Sequence, residues 1–190
     1  MNTQDTLRGA FEGARSALDA FLADPAAQAA AGRIADAVAG AIAAGNKVLI
    51  CGNGGSLCDA AHFAEELTGR FRNDRRPLPA IACTEPGHIT CTANDYGFEH
   101  VFSRWVTALG RRGDVLIVLS TSGNSPNCVL AAEAARVAGV RVCGLLGRGG
   151  GTLRGVCDVA LVAPGETSDR VQEVHMLVLH GVVEVVEGKL

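Results

Sequence analysis

Leu7, Phe11, Ala14, Leu18 and Phe21 recur at alternating four- and three-residue steps, which lines one face of an amphipathic helix over about 3–22. Asp24 before Pro25 supplies an N-cap and an N1 proline for a second, alanine-rich helix running to about Ala44, where Gly45-Asn46 ends it. The pattern then changes. Lys47-Val48-Leu49-Ile50-Cys51 is too short and too β-branched for a helix and stops at glycines, so it predicts a buried strand. A helix is expected from about Leu57 to Thr68, closed by Gly69. Further strands are expected at Pro79–Cys83, Asp114–Leu119, Val140–Leu146 and Asp158–Ala163, with helices over about 98–109, 127–138 and 169–187. Strands alternating with helices predict an α/β fold: a three-layer α/β/α sandwich around a five-stranded parallel sheet. The two leading helices (1–45) read as an N-terminal hairpin, accessory to the parallel core (46–190), with an apolar face suited to a second subunit.

Open parallel sheets bind ligands beyond the carboxyl ends of their strands, where strand order reverses. Two loops fit that place. Gly52-Asn53-Gly54-Gly55-Ser56 joins the first strand to a helix; its glycines let the backbone approach a ligand, and Ser56 with the first helical amides offers donors to an anion. The same glycines would also serve a plain strand-to-helix turn. Ser120-Thr121-Ser122-Gly123-Asn124-Ser125 precedes another helix, and its four hydroxyls exceed what an N-cap needs, which favours phosphate held without lysine or metal. No Walker loop or GxGxxG fingerprint is present, which disfavours a kinase or dehydrogenase.

The 190 residues, 48% of them hydrophobic, suffice for one domain with a real core. A net charge of −3 and scattered basic residues argue against nucleic acid, and the run Arg70 to Arg76 reads as a solvated loop. Seven cysteines without CxxC spacing read as buried small hydrophobes in a reducing compartment. Neither a leader-like N-terminus nor a membrane-length apolar run is seen, so a soluble cytoplasmic protein is expected.

His62 and Glu66 share one helix face beside the glycine loop, as metal ligands, as a base with its partner, or as an ordinary surface pair. The last helix carries Gln172, His175 and His180 on an apolar background, where a lone histidine is commonly a core residue. Gln172 and His180 lie about 12 Å apart along a regular helix, so both reach one small ion only with strain or from different subunits.

CGNGGSLCDAAHFAEELTGRF, NDYGFE, GDVLIVLSTSGNSPN and DRVQEVHMLVLH together resemble the sugar isomerase (SIS) domain family, and within it the phosphoheptose isomerases, over nearly the whole chain. The resemblance implies one flavodoxin-like, doubly wound SIS domain over 1–190. It implies conversion of sedoheptulose 7-phosphate to D-glycero-D-manno-heptose 7-phosphate for lipopolysaccharide core or other heptose-containing glycans. Glu66 would be the base and His180 the partner acid/base. Ser120, Thr121, Ser122 and Ser125 would hold phosphate, and Asn53, Gly54, Gly55, Ser56, Glu66, Asn94, Asp95, Asp169 and Gln172 would contact substrate. Zn²⁺, one per subunit, would be bound by His62, Glu66, Gln172 and His180, in a homotetramer with sites at subunit interfaces. The resemblance places CTEPGHITCTAN, from Cys83 to Asn94, in a loop. The alternative within the same fold is a non-catalytic adaptor that binds a replication initiator or senses a sugar phosphate. Such adaptors typically lack residues matching Glu66 and His180.

Overall fold

The computed structural model describes residues 2–190. Five parallel strands form one sheet: β1 (Val48–Gly52), β2 (Ala80–Ala82), β3 (Val115–Ser120), β4 (Arg141–Leu146) and β5 (Val159–Val162), in the order β2-β1-β3-β4-β5. This is the flavodoxin-like order, and its reversal point lies between β1 and β3. The central strands β1 and β3 are buried at every position, as strands covered on both faces must be. The polypeptide leaves the sheet at the reversal point through the glycine and serine loops.

Alternate residues of the strands point into two separate cores. On one face Val48, Ile50, Ile117 and Leu145 meet α2 (Pro25–Ala43), α3 (Gly55–Thr68) and α8 (Ser168–Lys189), through Ile34, Val38, Phe63, Leu67, Leu179 and Val183. On the other, Leu49, Cys51, Leu116 and Val118 meet α5 (Val101–Leu109), α6 (Pro126–Val137) and α7 (Leu153–Val156). The three layers follow from this two-sided burial.

Both helices of the expected hairpin are present, but they have different standing. In α2, Ile34, Val38 and Ile42 are buried, because the helix covers the sheet beside α8. The first helix, α1 (Thr3–Leu22), buries only Ala17 and leaves Leu7 and Phe11 exposed, so the uncovered apolar face belongs to α1. The segment expected as a loop after Cys83 is instead a helix, α4 (Pro86–Tyr96). Glu85 caps it by accepting from the amides of Gly87 and His88, which holds its carboxyl below the usual range, and Pro86 sits at N1. Pro-Gly there starts a helix because a capping carboxylate precedes it and Ile89 and Ala93 pack inward. The run Arg70 to Arg76 is irregular, as expected, but it is not free in solvent: Arg75 is largely buried against Glu187.

Candidate active site

The serine loop is preformed by its own bonds. The buried Ser120 Oγ accepts from the amide of Gly123 (3.1 Å) and lies 3.3 Å from Ser125 Oγ, while Ser122 Oγ accepts from the amide of Asn124 (3.1 Å). Gly123 has φ +67, and a Cβ there would stand 2.0 Å from the carbonyl oxygen of Gly150, so only glycine closes this turn. Thr121 Oγ1 faces Ser168 Oγ (3.2 Å) at the start of α8. Four hydroxyls therefore stand ahead of the amino end of α6, where amide donors and the helix dipole favour an anion.

The glycine loop lies beside it. Asn53 exchanges two amide hydrogen bonds with the buried Asn127, at 2.9 and 2.8 Å, which joins the loop after β1 to the first turn of α6. Gln172 Nε2 donates to Ser56 Oγ (3.3 Å), and a Cβ on Gly55 would meet the Gln172 side chain at 2.7 Å. Gly55 thus clears room for a side chain of α8 against the turn.

Further along the same two helices stands a carboxylate between two imidazoles. Glu66 on α3 is only 5% exposed; its Oε1 lies 3.3 Å from His62 Nε2 on the same helix and 3.3 Å from His180 Nε2 on α8. The imidazole rings meet edge to face at 5.3 Å. Burial pushes the Glu66 carboxyl above its ordinary value, against the opposing pull of His180 and His62. A carboxylate so placed is a stronger base than one in water, with a proton carrier in contact.

The same three side chains fit Zn²⁺. One donor atom from each can be chosen so that all lie within 4.8 Å of one another. The two 3.3 Å separations match the donor spacing of a tetrahedron with zinc bonds of about 2 Å. Glu66 Oε2 is buried without a hydrogen-bond partner, an acceptor left over for a ligand.

His175, named with Gln172 and His180 on the last helix, is wholly buried. Its Nε2–H donates to the Leu146 carbonyl (3.1 Å), and burial lowers its pKa to about 4. Asn94 and Asp95 end α4, exposed and bonded to each other (2.7 Å), and Asp169 is an exposed partner of Arg170 (2.9 Å). Within this subunit none of these three joins the acid/base cluster. Gln172 is engaged at the glycine loop, a different place from the imidazole pair. Two residues unmarked by the sequence reading belong here: Asn127, whose signal was its position directly after the STSGNSP run, and Phe71, whose ring stacks on His180 at 5.8 Å.

A profile of the SIS domain family matches residues 11–147. The chain is 57% identical over 155 residues to a phosphoheptose isomerase of Fusobacterium nucleatum, covering 82% of this chain and 80% of that one. It is 47% identical over 188 residues to a phosphoheptose isomerase of Edwardsiella ictaluri, covering 98% and 97%. A solved phosphoheptose isomerase from Neisseria gonorrhoeae superposes with a TM-score of 0.91 at 36% identity, over 98% of this chain and all of that one.

Proposed function

The chain belongs to the SIS domain family and, within it, to the phosphoheptose isomerases, and on that premise we propose how its own residues carry out the isomerisation. The reaction interconverts sedoheptulose 7-phosphate and D-glycero-D-manno-heptose 7-phosphate. The observation that carries the residue assignment is the buried Glu66 in contact with His180 across two helices.

The phosphate rests on Ser120, Thr121, Ser122 and Ser125, with Asn53, Gly54, Gly55, Ser56 and Gln172 along the sugar. Glu66 takes a proton from C1 of the open-chain ketose, forming the enediol, exchanges it with solvent, and delivers a proton to C2. His180 moves a proton between the two oxygens as the carbonyl passes from C2 to C1. Raised basicity at Glu66 eases the first transfer, and the close imidazole keeps charge from building up on either oxygen. His62, Glu66 and His180 would hold a Zn²⁺ ion, with Gln172 as a fourth ligand from a neighbouring subunit, and the ion would supply Lewis-acid stabilisation of charge on the substrate oxygens.

A shared fourth ligand fits a homotetramer with sites at subunit interfaces, and the exposed Leu7 and Phe11 of α1 offer a face for such contact. Asn94, Asp95 and Asp169, remote from the cluster in one subunit, would reach substrate from such an interface. We take 1–190 as one SIS domain acting in the cytoplasm. Seven free cysteines fit a reducing compartment, and among the described residues no helix is long and apolar enough to cross a membrane. The product would feed heptose into lipopolysaccharide core or another glycan. An adaptor without catalysis has no supporting observation, since it has no use for a buried base in contact with an imidazole.

The test is sedoheptulose 7-phosphate followed by NMR in D₂O, with and without Zn²⁺. Expected are an aldoheptose 7-phosphate and deuterium at C2 of the product. No product and no exchange from folded protein under either condition would overturn the assignment.

A further inference from the structure

The segment between α3 and β2 carries Arg70, Arg72, Arg75 and Arg76, and the reaction as described uses none of them. Arg75 is nonetheless held on all sides. Its side chain is 13% exposed; Nη2 donates to the Glu66 carbonyl (2.6 Å), Nη1 to the Leu67 carbonyl (2.9 Å), and Nε to Glu187 Oε1 (3.0 Å). Glu187, on the last turn of α8, also accepts from the amides of Arg72 and Asn73 (3.3 and 3.4 Å). Arg72 pairs with Glu184 of α8 (2.6 Å) and lies over the Phe71 ring at 5.1 Å. That ring stacks on His180 with an interplanar angle of 18°.

The last carbonyls of a helix lack intrahelical partners. Here two of them, one belonging to Glu66 itself, are bound by a guanidinium whose remaining edge is fixed to the helix that carries His180. One planar fork thus spans α3 and α8. A slip of one residue along a helix is about 1.5 Å, enough to take a 3.3 Å contact out of hydrogen-bond range. Phe71 meanwhile holds one face of the His180 ring.

We propose that Arg75, with Glu187, and Phe71 are positioning residues for the isomerisation: they fix the register of α3 against α8 and the orientation of His180, and so set the Glu66–His180 separation. The proposal rests on the isomerase reading. A simple capping role would cost stability alone, whereas a positioning role also alters proton transfer in molecules that remain folded.

The test compares Arg75→Ala, Arg75→Lys and Phe71→Leu in the full chain, with exposed Arg76→Ala as control, measuring kcat and KM normalised to folded protein. Arg75→Ala should lower kcat about 30-fold with KM within about threefold. Arg75→Lys should recover only part of the loss, since lysine lacks the fork. Phe71→Leu, which leaves the Arg75 bonds intact, should lower kcat about fivefold with KM within about threefold. Arg76→Ala should match the parent. Parental kcat per folded molecule in both Arg75→Ala and Phe71→Leu would overturn the proposal. If Arg75→Ala does not fold, Phe71→Leu decides. If the parent protein does not isomerise the sugar, the isomerase reading fails by itself. The brace is then judged from crystals of Phe71→Leu: a Glu66 Oε1–His180 Nε2 distance beyond about 4 Å upholds it, and an unchanged contact overturns it.

Discussion

The serine loop is held by bonds between near neighbours, whereas Glu66 and His180 meet only because α3 and α8 pack side by side. Ser120, Ser122 and Ser125 set most of their turn through their own hydroxyls and a few backbone dihedrals, and the segment after β4 closes it: the Gly150 carbonyl forces a glycine at 123, the Leu153 amide donates to the Gly123 carbonyl, and Thr152 donates to Asn124. The cluster has no such local support. Its geometry is borrowed from the core beneath it, from Gln172 at Ser56, and from Arg75 and Glu187 at the other end of the same helix pair. A binding loop can therefore be preformed cheaply, while a proton-transfer pair needs a rigid scaffold.

The largest effect that tests this contrast is at Glu66. Glu66→Gln should lower kcat by about 10²- to 10⁴-fold. It should not lower stability at neutral pH. The native carboxyl keeps its proton to a higher pH than the unfolded one, so the parent loses stability as pH rises from the ordinary carboxylate range through the raised native value. A glutamine has no such loss, so thermal melts should show the variant at or above the parent at pH 8, the gap closing near pH 4. A variant that unfolds more readily at pH 8 would mean that the carboxylate holds α3 to α8, and the division between scaffold and chemistry would break.

His175 tests the scaffold itself. Its pKa is lowered from 6.5 to about 4 because burial disfavours the imidazolium, so the unfolded chain gains a proton before the native one does. Stability is fully present above 6.5 and is lost as pH falls to about 4, by up to about 3 kcal/mol. Urea denaturation at pH 7 and 4.5 should show the loss, and His175→Gln should show less of it.

Ser120→Ala is expected to be the mildest. It removes one proposed phosphate ligand and the acceptor of the Gly123 amide, so KM for the sugar phosphate should rise about tenfold while kcat changes by less than about threefold. Initial rates over a range of substrate decide it. A fall in kcat comparable to that of Glu66→Gln would show that the two regions are not separable.

The chain displayed the strands, the two loops at the sheet's reversal point and the helix face shared by His62 and Glu66. Each of these rests on a repeat or a spacing within one element. Pro86-Gly87 misled because a capping carboxylate and inward-facing Ile89 and Ala93 outweigh the turn signal of the dipeptide. Arg75 misled because a basic run is ordinarily solvated, and nothing local marks the glutamate far along the chain that buries it. Asn127 and Phe71 were missed for the same reason: their partners, Asn53 and His180, lie in other elements.

By itself the sequence determined the α/β order, the two loops at the sheet's reversal point and the candidate residues, since hydrophobic period, glycine dihedrals and helix-start chemistry act over a few residues. Only the tertiary structure decided that His180 is no ordinary core histidine, that Glu66 is buried between two imidazoles, and that Gln172 lies at Ser56, away from the imidazole pair of its own subunit. The separation of two helices is a property of the core packed beneath them, and no spacing along either helix encodes it.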